Sequence, residues 1–223
     1  LGMSITFQTP SSQSESATKL AYRKLRQLLL TGELAPGEKL KIDRLRKVLD
    51  VGASPIREAL SLLVSDQLVV RHEQRGFQAA EISRDNFDEI LRLRCTLEGM
   101  ALRQSMALAT TDWVEKLVIV HHRMTQMRAV GSDEFEHEHK NFHMALIGNC
   151  NSPLLLRFCD QLYDLNIRYR YIAGRSVNYK GRKIDTEHQE ILNAVVVEDP
   201  DKAAELLQSH YEKTGYFLKA FIE

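Results

Sequence analysis

The apolar positions of the first 80 residues fall into short segments that turns separate. Helical spacing predicts three helices and alternation predicts two strands, at about 18–31, 42–49 and 54–67 for the helices and at 68–70 and 77–80 for the strands. A tight turn joins the last two helices, and a polar turn joins the two strands. Helix, helix, tight turn, helix and hairpin is the order of a winged helix-turn-helix.

From residue 83 onward the helical spacing continues, and we predict no strand. Six helices are expected, at about 84–109, 111–129, 133–148, 152–172, 183–198 and 200–220. We therefore expect a mostly α protein, in which a winged helix-turn-helix with a small β-hairpin wing precedes an all-α helical bundle. The expected divisions are a loose arm at 1–16, rich in Ser, Gln and Thr, a winged-helix domain at 17–82 and a helical domain at 83–223.

The same pattern predicts two details of the first domain. Val48 is expected to pack inward with Leu45 and Leu49 on the second helix. Ser54 is a good N-cap for the third helix, and Pro55 suits its first position because the missing N–H would be unpaired there.

Composition and charge narrow the class of protein. Hydrophobic residues at 43% and charged residues at 27% describe a globular chain, neither disordered nor fibrous. No apolar run reaches the roughly 18 residues of a membrane helix, and no signal-peptide pattern opens the chain. Three unpatterned cysteines favour reduced thiols and a cytoplasmic location. Residues 1–82 hold 12 Lys and Arg against 9 Asp and Glu, and residues 83–223 hold 18 against 21, which directs any polyanionic partner to the N-terminal part.

Four of the eight histidines fall on helix faces that should be apolar. His139 and His143 lie one turn apart, and His188 and His210 lie in the apolar stripes of the last two helices. An interior imidazole needs a hydrogen-bond partner or a metal, and a pair at i and i+4 is a natural bidentate ligand for a transition metal. In the alternative, these are ordinary core histidines with hydrogen-bond partners. The remaining histidines are expected at the surface or rim: His72, His121, His122 and His137.

Arg94 falls on the inward stripe of the helix at 84–109. A guanidinium that faces a core is costly unless it meets an anion. Glu98, one turn further on, offers an intrahelical partner, and this is one alternative. In the other, Arg94 binds one end of an organic acid while the metal takes the other end.

Three ordered segments resemble the GntR family of bacterial regulators: TGELAPGEKL at 31–40, SPIREAL at 54–60 and QRGF at 74–77. That family places a G-x-L-x-P-G-x-x-L turn before its helix-turn-helix and P-V-R-E-A-L at the start of its recognition helix. This chain has Gly52 and Ala53 where the family usually has Ser or Thr followed by Arg. Its operator preference is therefore expected to differ.

The residues expected to contact operator DNA lie on the recognition helix, the helix before it and the wing. They are Arg44, Arg46, Ser54, Arg57, Arg75 and Gly76. Arg57 lies in the first turn of the recognition helix, where side chains reach base edges or phosphates. Arg75 and Gly76 form the wing tip, where glycine permits close approach to the minor groove. The alternative for Arg57 is an ion pair with Glu58 or another acid.

The C-terminal histidines resemble the FCD-type ligand domain of one GntR subfamily, a bundle of six or seven helices whose metal is commonly held by one Asp and three His. The match covers HKNFH at 139–143, EHQEI at 187–191, and His210. His139 stands where the family usually has Asp, so the site loses one negative charge. The loss favours Zn²⁺ or Ni²⁺ over Mg²⁺ or Mn²⁺. Two alternatives are that an anionic ligand is bound more strongly or that the metal is absent. The resemblance implies a response to small organic acids.

Together these patterns predict a DNA-binding transcriptional regulator, and we expect a repressor. A small organic acid beside a histidine-bound divalent metal is expected to control its operator affinity. One helix-turn-helix reads only a few base pairs, so we expect a homodimer on palindromic half-sites, and the resemblance suggests that the C-terminal helices form it. Two alternatives remain: a metal-dependent enzyme, although residues 139–143 lack the glutamate of the zinc-protease helix motif, and a metal-stabilised interaction module.

Overall fold

The computed structural model describes residues 16–127, 132–174 and 184–222. The predicted arm at 1–16 lies outside these residues except for Ser16. Ser16 is the N-cap of the first helix, and its side-chain oxygen accepts a hydrogen bond from the backbone N–H of Lys19.

The N-terminal half of the structure is a winged helix-turn-helix, as the sequence predicts. Its elements are α1 (Ala17–Leu30), β1 (Lys39–Leu40), α2 (Ile42–Leu49), α3 (Ala53–Ser65), β2 (Val69–His72) and β3 (Gly76–Ala79). The three strands form one antiparallel sheet in the order β1-β3-β2. The two-residue strand β1 was not expected, because two residues are too short to show alternation. It forms by pairing with the wing, with Lys39 opposite Gln78.

The second half is all-helical over the described residues. It comprises α4 (Arg84–Ala107), α5 (Thr111–Thr125), α6 (Asp133–Ile147), α7 (Pro153–Gly174), α8 (Ile184–Val196) and α9 (Pro200–Lys219). Helix α4 packs against α9 and α7, α8 packs against α9, and α5 packs against α6. This arrangement brings α6, α8 and α9, which carry the four inward histidines, to one region of the bundle.

Two details of the winged-helix domain correct the sequence-based expectations. Helix α3 begins at Ala53, and its N-cap is Gly52 in extended conformation with no side-chain cap bond, so Ser54 lies inside the first turn. Val48 is 60% exposed, because Leu45 and Leu49, one turn apart, fill the buried face of the short helix α2.

Two hydrophobic cores stabilise the molecule, and the first crosses between its halves. The winged-helix core contains Leu25 and Leu60 together with Tyr163 and Tyr169 of α7 and Leu218 of α9. The second core lies within the helical bundle. Helix α7 thus completes the core of the winged-helix half while it packs against the histidine-bearing half.

Among the residues that the structure describes, no helix is both long enough and apolar enough to cross a membrane.

Candidate metal centre and DNA-reading surface

His139, His143, His188 and His210 meet inside the helical bundle. Each offers one ring nitrogen, and these four atoms lie within 4.8 Å of one another. All four side chains are buried. The prediction that the four histidines converge is therefore correct, because α6, α8 and α9 turn their histidine-bearing faces toward one another.

The spacing of the inner nitrogens suits a single metal ion. The Nε2 atoms of His139 and His143 are 3.2 Å apart, and those of His188 and His210 are 3.3 Å apart. Two nitrogen ligands of a tetrahedral Zn²⁺ at its usual Zn–N distance lie about 3.3 Å apart. The donor set therefore fits a divalent transition metal.

The outer nitrogen of each ring is Nδ1, which points away from the centre of the cluster. In two of the histidines this atom lies next to a hydrogen-bond acceptor. The Nδ1 of His210 lies 2.7 Å from a carboxylate oxygen of Glu187. The Nδ1 of His143 lies 2.9 Å from the hydroxyl of Tyr211, which itself donates to Glu98. Such outer contacts fix the ring orientation and leave Nε2 free to bind metal.

His139 has different outer partners, and the sequence did not point to them. Its Nδ1 lies 2.7 Å from the hydroxyl of Tyr163 and 3.1 Å from Nη1 of Arg170, both on α7. Arg170 also forms a buried ion pair with Glu136 at 3.0 Å. The sequence contains no usable signal for Arg170. Its significance lies in the burial of the surrounding part of α7, residues 165–170, and that burial is known only from the fold.

Burial determines the charge state of the cluster. Desolvation lowers the pKa of His143, and the neighbouring His188 and His210 lower it further. Burial likewise lowers the pKa of His139, with Arg170 as the next cause. Both rings are therefore neutral near pH 7, and neutral imidazole is the form that binds metal.

Arg94 lies beside the cluster and forms the intrahelical pair that was one of the two alternatives for it. Its Nε donates to Glu98 at 2.6 Å, which is the intrahelical pair, and its Nη1 donates to Asn166 at 2.9 Å. Its guanidinium lies 4.9 Å from the ring centre of Tyr163 and 4.1 Å from that of Tyr211. Its Nη2 is buried and has no hydrogen-bond partner among the described residues. One donor thus remains for another group.

One histidine expected at the surface is buried instead. His121 is only 5% exposed and packs edge-on against the ring of Phe142, because α5 lies against α6. Burial lowers its pKa. His72, His122 and His137 are exposed, as expected.

The six predicted DNA contacts lie on α2, α3 and the wing. The arginines on the two helices differ in whether they already form ion pairs within the protein. Arg57 and Ser54 are exposed at the start of α3, and Arg57 forms no ion pair within the described residues. The expected alternative, a pair with Glu58, is therefore absent from this part of the chain. Arg44 pairs with Glu38, and Arg46 lies 3.7 Å from Asp43.

The wing tip is open. Arg75 is exposed, and Gly76 has a φ of +87° with empty space where a Cβ would lie. A left-handed backbone at this turn favours glycine, and nothing blocks the approach of another molecule.

Comparison with known families agrees with both halves. Residues 17–78 match the model described as bacterial regulatory proteins, gntR family, and residues 89–213 match the FCD domain. The chain belongs to the gntR family of bacterial regulatory proteins and carries an FCD domain. FCD domains are known for metal binding, and the buried histidine cluster lies within that match.

Named relatives support the same assignment. The chain is 31% identical to the uncharacterised HTH-type transcriptional regulator BphR of Paraburkholderia xenovorans, over 95% of this chain and 89% of that protein. It is 32% identical to the HTH-type transcriptional repressor GlaR of Escherichia coli, over 85% and 90%. The solved structure of E. coli McbR/YncC has the same fold, with a TM-score of 0.80 at 24% identity over 92% of this chain and 98% of that one. The chain is a transcriptional regulator and not an enzyme.

Proposed function

We propose that this regulator is a repressor whose operator affinity is controlled by a small organic acid, bound beside a metal in the four-histidine cluster. The proposed divisions are an arm at 1–16, a DNA-binding domain at 17–82 and an effector-binding and dimerisation domain at 83–223. Repression is supported by the likeness to GlaR, which is named as a repressor.

The metal is proposed to be Zn²⁺ or Ni²⁺, bound by the cluster of His139, His143, His188 and His210. Four neutral imidazoles suit borderline transition metals better than Mg²⁺ or Mn²⁺, which prefer oxygen ligands. When bound, the metal supplies a Lewis-acidic centre for a carboxylate oxygen. The residues around it bury and orient the rings, and Glu187 and Tyr211 hold the outer nitrogens of two of them.

The single observation that carries the effector proposal is the buried, unused Nη2 of Arg94. A buried donor without a partner costs about 1–3 kcal/mol, and more when the group is charged. An organic-acid carboxylate would accept this hydrogen bond and offset the cost. Tyr163 and Tyr211 hold the guanidinium between their rings, and so they fix the direction in which Nη2 donates.

A route from the cluster to the DNA-binding half runs through Asp164 of α7. Asp164 accepts from Arg26 of α1, and it also pairs at 2.7 Å with Lys140, the neighbour of His139 on α6. We propose that effector binding shifts α6 against α7 and changes how the Asp164 carboxylate is shared between Arg26 and Lys140. This change would reorient the winged-helix domains. A coupling of about 1–3 kcal/mol changes operator affinity by ~5–150-fold.

The six residues Arg44, Arg46, Ser54, Arg57, Arg75 and Gly76 are proposed to contact the operator, and a homodimer is proposed to read its palindromic half-sites. An exposed apolar stripe on α4 is the proposed dimer surface. Leu93 and Met100, two turns apart, are 38% and 43% exposed. Large exposed aliphatic side chains aligned on one helix face are typical of a protein interface.

The test of the metal and its role uses elemental analysis of the purified full chain. Wild type is expected to hold one Zn²⁺ or Ni²⁺ per chain, and His143→Ala and His188→Ala are expected to lose it, because each removes a ligand from a buried site. His137→Ala is the matched control, since His137 is exposed on the same helix as His143.

Operator binding is measured on the same samples with and without short carboxylic acids. The wild type is expected to respond, and the two metal-free variants are not. A metal-free wild type that still responds to an acid would mean that the histidines are ordinary core residues. A metal-bound wild type that responds to no acid would favour a metal-stabilised interaction module.

A further inference from the structure

His139 differs from His143 and His210 in the direction of the hydrogen bonds at Nδ1, the ring nitrogen that points away from the cluster centre. A guanidinium has only donors, so the contact of Arg170 Nη1 with His139 Nδ1 requires that Nδ1 accept. The hydroxyl of Tyr163 has this same Nδ1 as its only acceptor among the described residues, so it donates there as well. Two donors thus converge on Nδ1 of His139, and the proton of this neutral ring lies on Nε2.

His143 shows the opposite polarity, although its outer partner is also a tyrosine. The hydroxyl of Tyr211 donates to a carboxylate oxygen of Glu98, so its oxygen accepts from Nδ1–H of His143. Likewise Nδ1 of His210 donates to the carboxylate of Glu187. These two rings carry their proton on Nδ1 and present a bare Nε2 to the centre of the cluster.

We propose that His139 is not a metal ligand and that it presents an Nε2–H donor to the effector at the centre. The metal is then bound by His143, His188 and His210, and its fourth position is left for a carboxylate. Three protein ligands and one open position are the usual arrangement of a Zn²⁺ site that binds an exchangeable group. This inference rests on the proposed function, because it presupposes a metal in the cluster, and it narrows the four proposed ligands to three.

The distance between His139 and His143 is compatible with this role. Their Nε2 atoms are 3.2 Å apart, a normal length for an N–H···N hydrogen bond, and a donor on His139 faces the lone pair of His143. A metal bound through that lone pair would replace this hydrogen bond and leave the N–H of His139 for a guest. This distance also fits two ligands of one metal. The assignment of His139 as a donor therefore depends on Arg170, whose donation to Nδ1 places the ring proton on Nε2. At the position of His139 the related domains usually have an aspartate that binds the metal. In this chain the same position then provides a neutral N–H donor for an anionic effector.

The test uses Co²⁺ as a spectroscopic probe with the metal-free full chain. His139→Ala is expected to bind one Co²⁺ per chain with unchanged visible absorption bands, because the atoms bound to the metal are the same. Loss of a neighbouring hydrogen-bonding group typically weakens metal binding by ~10–100-fold, so titration is done well above that range. His143→Ala, the matched control on the same helix, is expected to lose stoichiometric Co²⁺.

Acetate is the probe for the donor role. The shift of the Co²⁺ bands by acetate is expected to need a higher acetate concentration in His139→Ala than in the wild type. His139→Asn is expected to restore most of the response, because its amide oxygen accepts from Arg170 while its NH₂ donates inward. Circular dichroism checks that each variant is folded, and the asparagine variant carries the test if the alanine variant is not.

Loss of Co²⁺ from His139→Ala and His139→Asn to the extent seen in His143→Ala would make His139 a ligand and would overturn the inference, while the proposed metal site would stand. Equal acetate affinity in the wild type and in a folded His139→Ala would also overturn it. A wild type that binds no Co²⁺ would overturn both the inference and the metal site.

Discussion

The proposed functional residues of this protein differ in the direction of their hydrogen bonds and in which of their polar atoms lack a partner among the described residues. In the cluster, Arg170 donates to Nδ1 of His139, which therefore accepts. Glu187 and Tyr211 instead accept hydrogen bonds from the Nδ1–H groups of His210 and His143. Arg94 donates from Nε and Nη1, and its Nη2 has no partner among the described residues. In the DNA-binding half, Arg57 is an exposed cation with no acidic partner within the described residues, unlike Arg44 and Arg46.

Arg57→Ala is expected to abolish specific operator binding and leave the fold unchanged, since the side chain is exposed at the start of α3. Each good contact between a side chain and a base is worth about 1–3 kcal/mol. Gel-shift assays at one fixed salt concentration measure the loss. Arg103→Ala is the control, an exposed arginine of the helical domain paired with Asp201. Equal operator affinity in the two variants would contradict the assignment of Arg57.

At the scale of elements, the packing of α4 against α9 holds one side of the histidine cluster. Arg94 and Glu98 lie on α4, and His210 and Tyr211 lie on α9. The two helices approach closely at Gly215, where an added Cβ would overlap a terminal carbon of Leu91. A side chain at this position would therefore require Leu91 to shift, whereas the backbone conformation of Gly215 does not itself favour glycine.

Gly215→Ala is expected to destabilise the protein by about 1–3 kcal/mol, because Leu91 must leave its position or the helices must separate. Gly99→Ala is the matched control in α4, where the nearest atom to an added Cβ is the flexible end of Arg103 at 3.9 Å. That change is expected to be neutral or to stabilise by up to about 1 kcal/mol, since alanine is the better helix former. Urea unfolding followed by circular dichroism measures both. Equal stability of the two variants would mean that Leu91 moves aside at no cost.

At the scale of the whole molecule, α7 joins the two halves. Its Tyr163 packs in the winged-helix core, and the hydroxyl of the same residue contacts His139. Asp164, the next residue, is shared between Arg26 of α1 and Lys140 of α6. A change in the cluster is therefore expected to reach the DNA-binding surface through one helix.

Met100→Glu is expected to convert the proposed dimer to a monomer at micromolar concentration, because a charge in an apolar contact is costly to desolvate. Light scattering on the full chain measures the mass. Val118→Glu is the control, since Val118 is similarly exposed on α5 outside the α4 stripe. A dimer that survives Met100→Glu would place the interface elsewhere, and a monomeric wild type would contradict dimerisation itself.

The order of helices and strands could be read from the sequence because it depends on local periodicity. The sequence also identified the four inward histidines, since a titratable residue in an apolar stripe is visible without a structure. It did not reveal β1, the burial of His121 or the exposure of Val48. Each of these depends on which neighbouring element packs on a face, and periodicity does not report that.

The sequence alone thus determined the family, the two-part architecture and the histidines that meet. Only the tertiary structure decided what surrounds them: Tyr163 and Arg170 on one ring, Tyr211 on another, and a free donor on Arg94. The physical reason is that burial and hydrogen-bond direction arise between residues far apart in the chain. A side chain's type is written in the sequence, whereas its partner is fixed only when the helices pack.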